Sequence, residues 1–229
     1  MYKMYPDIFV ITSVINTGNK PWSYTGIRSC YTKEDRFKQT IHTIDSIRKL
    51  NENANIILVE CSDIDETMTN SLKDKVDYFL QTYDDMSVRD ACINSNKKGF
   101  GEVKKLQKVC EFIQQNDIKF NRLFKISGRY FLTPSFDNKI YDEISHFTFK
   151  MNVNNCGGST VLYSVPYSLF HTYVQKLEEC NKIYMNGPPI SVESLIPCMC
   201  NPKKNISTLG VAGYLGVLND NGISEYYTA

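Results

Sequence analysis

Short runs of apolar, β-branched residues alternate with stretches of helical periodicity through the first half of the chain. This alternation restricts the accessible folds more than any other feature. Ile8–Ile15 is almost continuously apolar, as expected of a strand buried on both faces. A polar loop follows over Asn16–Tyr31, carrying Gly18, Pro21 and Gly26. Phe37, Ile41, Ile44, Ile47 and Leu50 then recur at helical spacing, and Thr32 and Asp35 stand at capping-box positions before them. Asn55–Cys61 reads as a second strand, Asp65–Lys75 as a short helix, Val76–Gln81 as a third strand and Asp84–Phe100 as polar and irregular. Gly101–Gln115 is a helix with Val103, Leu106, Val109, Cys110 and Ile113 on its apolar face, and Arg122–Leu132 is a fourth strand. Strands joined by helices require right-handed crossovers and a mainly parallel sheet.

The pattern changes in the second half. Phe147–Met151 and Ser159–Val165 are strand-like and flank Gly157-Gly158, which predicts an antiparallel element. A helix is expected from Pro166 to Cys180, a loop at Asn186–Pro189 and a short helix over Ser191–Met199. Beyond Ile206 there are four glycines and no clear period. No internal repeat or linker is evident, so the expectation is one α/β domain over residues 1–229, a mainly parallel central sheet flanked by helices with an antiparallel element late in the chain.

Composition excludes several classes. Aromatics at 12% supply enough apolar area to offset chain entropy, so disorder is not the dominant state. Lys plus Arg is 26 against 25 for Asp plus Glu, a net charge of +1 that argues against nucleic-acid partners and a polybasic membrane binder. The Ile8–Ile15 run is far shorter than the ~20 residues of a membrane span. It also lacks a small-residue cleavage site, and folding in the cytoplasm is the expectation. The eight cysteines are scattered, which fits free thiols in a reducing compartment. Cys198 and Cys200 are too close in sequence for a zinc knuckle.

In an open parallel sheet, ligands bind beyond the carboxyl ends of the strands at a topological switch point. The residues so placed are Thr12, Ser13 and Asn16, then Glu60 and Ser62, then Tyr83, Asp84 and Asp85, and finally Lys125, Ser127 and Arg129. The last set is the most telling. Leu123–Leu132 opens and closes with hydrophobes, yet Lys125, Ser127 and Arg129 recur with period two and would share a face. Buried cations need a partner, either an anionic ligand or an acid such as Glu60. Gly128 between them permits close backbone approach.

Three further candidates stand apart from that strand. Lys97-Lys98-Gly99-Phe100-Gly101-Glu102 precedes a helix and has the makings of a phosphate cradle, although it matches neither a P-loop nor a dinucleotide fingerprint. The alternative is a flexible loop with solvated lysines. Arg28 lies in the long first loop with Trp22 and Tyr24, aromatic rings suited to stacking on a base or sugar. Glu193 sits near a helix start late in the chain, either as a general base or as a glutamate stabilised by the helix dipole. His42 and His171 have no nucleophile or carboxylate at an interpretable spacing.

Taken together, the order of elements and the segment Phe124-Lys-Ile-Ser-Gly-Arg-Tyr130 resemble the GT-A class of nucleotide-sugar glycosyltransferases, specifically glycosyltransferase-like proteins of bacteria and large DNA viruses with a Lys-x-Ser/Thr-Gly-Arg-Tyr signature. Arg28-Ser-Cys-Tyr-Thr, with Arg36-Phe and Gln39-Thr beyond it, and Lys98-Gly-Phe-Gly-Glu102 look like further parts of the same pattern, which spans roughly residues 8 to 200. The resemblance implies a nucleotide-binding half over 8–132 and an acceptor-binding half over 133–229. It implies a nucleoside diphosphate sugar donor and a glycan or other hydroxyl acceptor. Thr12, Ser13 and Glu60 would contact base and ribose; Lys98, Gly99 and Gly101 would approach phosphates or nucleoside; Arg28 and Ser127 join them as binding residues. Lys125 and Arg129 would neutralise the leaving group, and Glu193 would be the acceptor's base if the reaction inverts. The GT-A pattern places an Asp-x-Asp metal motif near the fourth strand, where this chain has Lys125, Ser127 and Arg129. No cofactor is firmly implied, and Mn²⁺ or Mg²⁺ stays open; Asp63-Ile-Asp65 has the spelling but follows the second strand. Two other functions share the architecture: a nucleotidyltransferase and a non-catalytic nucleotide- or glycan-binding module.

Overall fold

The computed structural model describes residues 5–23, 25–152, 157–218 and 224–229. Strand β1 (Ile8–Ser13) leads through the long loop to helix α1 (Lys33–Leu50), followed by β2 (Asn55–Glu60), α2 (Glu66–Lys73) and β3 (Tyr78–Gln81). The Thr32 side chain accepts from the Asp35 amide and Asp35 reciprocates, so the capping box starts α1 where the sequence places it. Then come α3 (Met86–Arg89) with a π-helical turn at Asp90–Asn94, α4 (Lys98–Gln115), β4 (Arg122–Ser127) and β5 (Tyr130–Leu132). The remainder comprises β6 (Phe147–Phe149), β7 (Leu162–Pro166), α5 (Phe170–Asn186), α6 (Val192–Met199), β8 (Lys203–Asn205), β9 (Val211–Leu218) and β10 (Ser224–Thr228).

The main sheet runs β3-β2-β1-β4-β7-β6-β8, and β10-β9-β5 form a second, small antiparallel sheet. β1 pairs in parallel with both β2 and β4, whereas β7 runs antiparallel to β4. The chain therefore leaves β1 toward β2 and β3, then returns to β4 on the other side, which makes the β1/β4 gap the switch point. Alternation along β1 supplies two cores. Ile8 and Val10 face α4, α5 and α6 with Leu106, Val109 and Leu177, while Phe9 and Ile11 face α1 and α2 with Ile44, Ile47 and Leu72.

Four expectations need correction. The single strand expected over Arg122–Leu132 breaks at Gly128-Arg129, and β5 pairs with β9 in the second sheet. Backbone bonds make the break: the Gly128 amide donates to Thr12 O and the Arg129 amide to Ser127 O. Helix α4 begins at Lys98 rather than at Gly101, so Gly99 is helical rather than part of a preceding loop. Glycine disfavours helix interiors, but packing overrides that preference here. A Cβ on Gly99 would strike the Tyr184 hydroxyl, and one on Gly101 would come within 2.9 Å of the Cys92 Cα. Part of the irregular Asp84–Phe100 stretch is helical, with Asp85 capping α3 through the Ser87 and Val88 amides. The tail forms β9 and β10, whose Gly213 and Gly216 let the Arg129–Tyr130 backbone and the Arg129 guanidinium come close. The seven described cysteines are free thiols, and Cys156 lies outside the described residues. No helix among the described residues is long and apolar enough to cross a membrane.

Candidate active site

A cavity opens at the switch point, over the carboxyl ends of β1 and β4. Thr12, Ser13, Ser127 and Arg129 line it from the strands and the turn after β4. Lys98 and Gly101 enter from α4, Arg28 from the first loop, and Glu193 from the start of α6. Residues scattered over 180 positions of sequence, from Thr12 to Glu193, thus meet in one place because β1 and β4 are neighbours and both helices start at the same end.

Arg129 is the most exposed of the strand-four cations and has a built seat. Its Nη1 donates to Tyr214 O at 3.0 Å, and Gly216 leaves room for its guanidinium, since a Cβ there would lie 2.9 Å from Cζ. Lys98, at the first turn of α4, keeps its ammonium at the cavity wall; partial burial lowers its pKa, and Glu193 acts against that shift. Glu193 accepts from Ser191 Oγ at 2.7 Å and from Thr160 Oγ1 at 3.5 Å. These bonds fix its carboxylate at the cavity wall, close enough to Lys98 to oppose the shift that burial imposes.

Four expected residues are placed differently. Lys125 is fully buried beneath the cavity rather than lining it. Its ammonium pairs with Glu102 and donates to Ser127 Oγ at 2.8 Å and to Thr160 O at 2.5 Å. The acid that balances it is therefore Glu102, not Glu60. Glu60 is also fully buried and points away from the cavity: its carboxylate accepts from the Ile15 amide at 3.2 Å and the Ser62 amide at 2.8 Å. It fixes the turn after β1 and makes no surface for a base or ribose. Gly99 faces Tyr184 and Val192, and serves helix packing. Arg28 borders the cavity, but its guanidinium is engaged as a loop staple: Nη1 donates to Lys20 O and Ser95 O, both at 2.9 Å, and Cζ lies 3.7 Å from the centre of the Trp22 ring. Trp22 in turn donates from Nε1 to Arg28 O at 2.9 Å. Tyr24 lies outside the described residues.

Three side chains that line the cavity carried no individual assignment from sequence. Glu102 receives Thr12 Oγ1 at 3.2 Å and pairs with Lys125 and, at 3.9 Å, with Lys105. Burial alone would raise its pKa, but Lys125 and Lys105 overcome that and hold the carboxyl ionised below its ordinary range. Lys105 also donates to Ser13 O at 3.2 Å, tying α4 to the end of β1. Arg36 lines the cavity beside Arg129 and donates from Nε to Val14 O at 2.5 Å. Burial first and Arg129 second press its guanidinium below the usual arginine range. Two like charges so close leave the cavity in need of an anion. The spacing of Glu102 and Lys105 on one helix face was a legible signal; the role of Arg36 was not, since it depends on where the turn after β4 goes.

The donor set does not suit a divalent cation. The cavity carboxylates are Glu102, already balanced by two lysines, and Glu193, while Lys98, Lys105, Arg36 and Arg129 crowd the same space. Asp65 caps α2 and pairs with Lys33 at 3.0 Å, away from the cavity, and no group of three or more potential ligands occurs among the described residues.

No protein-family model matches the chain, and no curated protein matches it in sequence. Solved structures do. The apo-form glycosyltransferase GlyE of Streptococcus pneumoniae TIGR4 superposes with a TM-score of 0.50 at 8% identity, over 87% of this chain and 44% of that one. A second GlyE structure gives 0.46 at 9% identity over 89% and 45%. A glycosyltransferase involved in glycosylation of the major capsid of PBCV-1 gives 0.39 at 10% identity over 80% and 68%. Of these, only the apo-form match reaches 0.5, and it establishes the fold: this chain shares the α/β fold of a glycosyltransferase. The chain spans less than half the length of GlyE.

Proposed function

We propose that the protein transfers a sugar from a nucleoside diphosphate sugar to a hydroxyl acceptor. The observation that carries this reading is the cavity at the β1/β4 switch point, where Arg129, Arg36 and Lys98 face Glu193. The nucleoside lies toward Thr12 and Ser13, with the Trp22–Arg28 staple as the wall. The diphosphate lies against Arg129, Arg36 and Lys98. As the bond between the anomeric carbon and the diphosphate oxygen breaks, its electron pair passes to the diphosphate, and fixed cations stabilise that charge without reorganisation. The acceptor oxygen forms the new bond; in an inverting reaction its proton goes to Glu193, held in position by Ser191 and Thr160. Lys125 acts at one remove, by holding Glu102 and Ser127. The cations take the charge-neutralising part a metal plays elsewhere.

A thermal-shift screen of the purified protein against nucleotides and nucleotide sugars, with Mn²⁺ and with EDTA, tests the proposal. A ligand at ~100 times its dissociation constant adds about 2.7 kcal/mol of stability. The expected result is stabilisation by one nucleotide-sugar family that survives EDTA. Loss of that stabilisation in EDTA would overturn the role given to the cations. Absence of any nucleotide effect would favour a binding module for a different anion, and pyrophosphate release from nucleoside triphosphates would favour a nucleotidyltransferase.

A further inference from the structure

A second cavity adjoins the first. Its walls are Ser23 and Gly99 on one side and the Pro189–Ser191 segment on the other, and it shares Lys98, Val192 and Glu193 with the main cavity. The enclosed space is about 300 Å³, at the lower end of the ~300–1,000 Å³ of small-molecule sites. The segment between α5 and α6 that forms one wall is tied down from three directions. Lys97 Nζ donates to Tyr184 O at 2.7 Å and to Gly187 O at 2.8 Å, the Tyr184 hydroxyl donates to Ile190 O at 2.9 Å, and Ser191 Oγ bonds Glu193. Gly99 contributes by having no side chain, which admits the Tyr184 hydroxyl.

The chemistry of this space differs from that of the main cavity. Lys97 also lines the second cavity and donates from its ammonium to the carbonyls of Tyr184 and Gly187, while Lys98 and Glu193 border the opening shared with the main cavity. Pro189, Ile190 and Val192 supply aliphatic surface, and Ser23 and Ser191 supply hydroxyl groups. A ligand suited to such a space bears hydroxyls and has an apolar face, which describes a pyranose ring with its C–H surface on Pro189 and Ile190.

We infer that this second cavity is the acceptor subsite and that its occupant is a sugar, whose reacting hydroxyl meets Glu193 at the junction of the two cavities. This assignment rests on the proposed transferase function and names its acceptor class. Glu193 lines both cavities, as a base that takes the acceptor's proton while the new bond forms must.

The test uses the intact chain and two cavity-filling variants from opposite walls, Pro189→Trp and Ser23→Trp, both at exposed positions. Saturation-transfer NMR is recorded with methyl glycosides of glucose, galactose and N-acetylglucosamine, and nucleotide binding is followed by thermal shift. The expected result is glycoside binding to the unaltered protein, weakened about tenfold or more in both variants, with nucleotide-induced stabilisation unchanged. Three results would overturn the inference: no glycoside signal in the unaltered protein, a signal in both variants as strong as in the unaltered protein, or loss of nucleotide stabilisation together with glycoside binding, which would assign the cavity to the donor. If nucleotides fail to stabilise even the unaltered protein, the transferase reading fails on its own, while glycoside binding that depends on Pro189 and Ser23 would still stand as a sugar site.

Discussion

Glu102 of α4 and Lys125 of β4 form a buried ion pair directly under the cavity, and Thr12 at the end of β1 donates to the same carboxylate. Three elements of the switch point are thereby joined at one group. Removing one member leaves an unpaired buried charge. Lys125→Met is expected to destabilise the protein by about 3–5 kcal/mol, and the double variant Lys125→Met with Glu102→Leu to recover much of that loss. Urea unfolding measures both. Equal stability of the single variant and the unaltered protein would show that the pair is not buried as described.

Arg129 differs from Lys125 in being held by a single backbone carbonyl at the cavity surface. Arg129→Ala should leave stability within about 1 kcal/mol and lower the rate of transfer by about 10²–10³. Steady-state kinetics with the donor chosen by the stability screen provides the check, and full retained activity would remove Arg129 from the reaction.

Gly99 makes the opposite prediction. It lies within α4, where alanine is the better helix former. Even so, Gly99→Ala is expected to destabilise by about 1–3 kcal/mol, because the methyl group would meet the Tyr184 hydroxyl. Thermal unfolding decides it: a stabilised variant would mean that Tyr184 moves aside freely.

Asp85 gives a pH-dependent prediction. It caps α3 and pairs with Lys108 at 3.0 Å, and its carboxyl is held down to about 2, first by the hydrogen bond from Lys108 and then by Ser87 and Val88, against the effect of burial. A folded-state pKa below the ordinary 3.8 stabilises the fold above that value and is lost as pH falls through about 2. Asp85→Ala should therefore cost about 1 kcal/mol near neutrality, the usual worth of a cap, with the gap to the unaltered protein closing between pH 4 and pH 2. Urea titrations across that range measure the gap, and a constant difference would rule out the carboxylate as its source.

The β-α alternation of the first half was readable because apolar runs and helical periods are local features. So was the edge of the sheet at which a ligand would sit, since helical crossovers make the sheet mainly parallel and its carboxyl ends share one edge. That reasoning named Thr12, Ser13, Ser127 and Arg129, which line one cavity together with Lys98 and Glu193, residues singled out on separate grounds. Period-two alternation could not show that the chain bends at Gly128, because that bend depends on bonds to Thr12 and on pairing with a strand some 80 residues away. It consequently placed Lys125 and Arg129 on one face, whereas one is buried and the other lines the cavity. Glu60 failed for a related reason: a carboxylate at a strand end can face the ligand or the neighbouring loop, and its bonds to Ile15 and Ser62 decide which. The two terminal strands escaped notice because glycine weakens any strand signal, and those glycines are there for the close approach of Arg129 and Tyr130.

The seat of Arg129 has a consequence for synthesis. The four parallel strands of the switch point are complete once residue 127 has been made, yet the carbonyl and the gap that position the guanidinium belong to Tyr214 and Gly216. A growing chain thus has these four strands, with Arg36 and Lys98, long before it has the seat of Arg129, and a nascent polypeptide halted between those points would carry that guanidinium without the carbonyl that orients it.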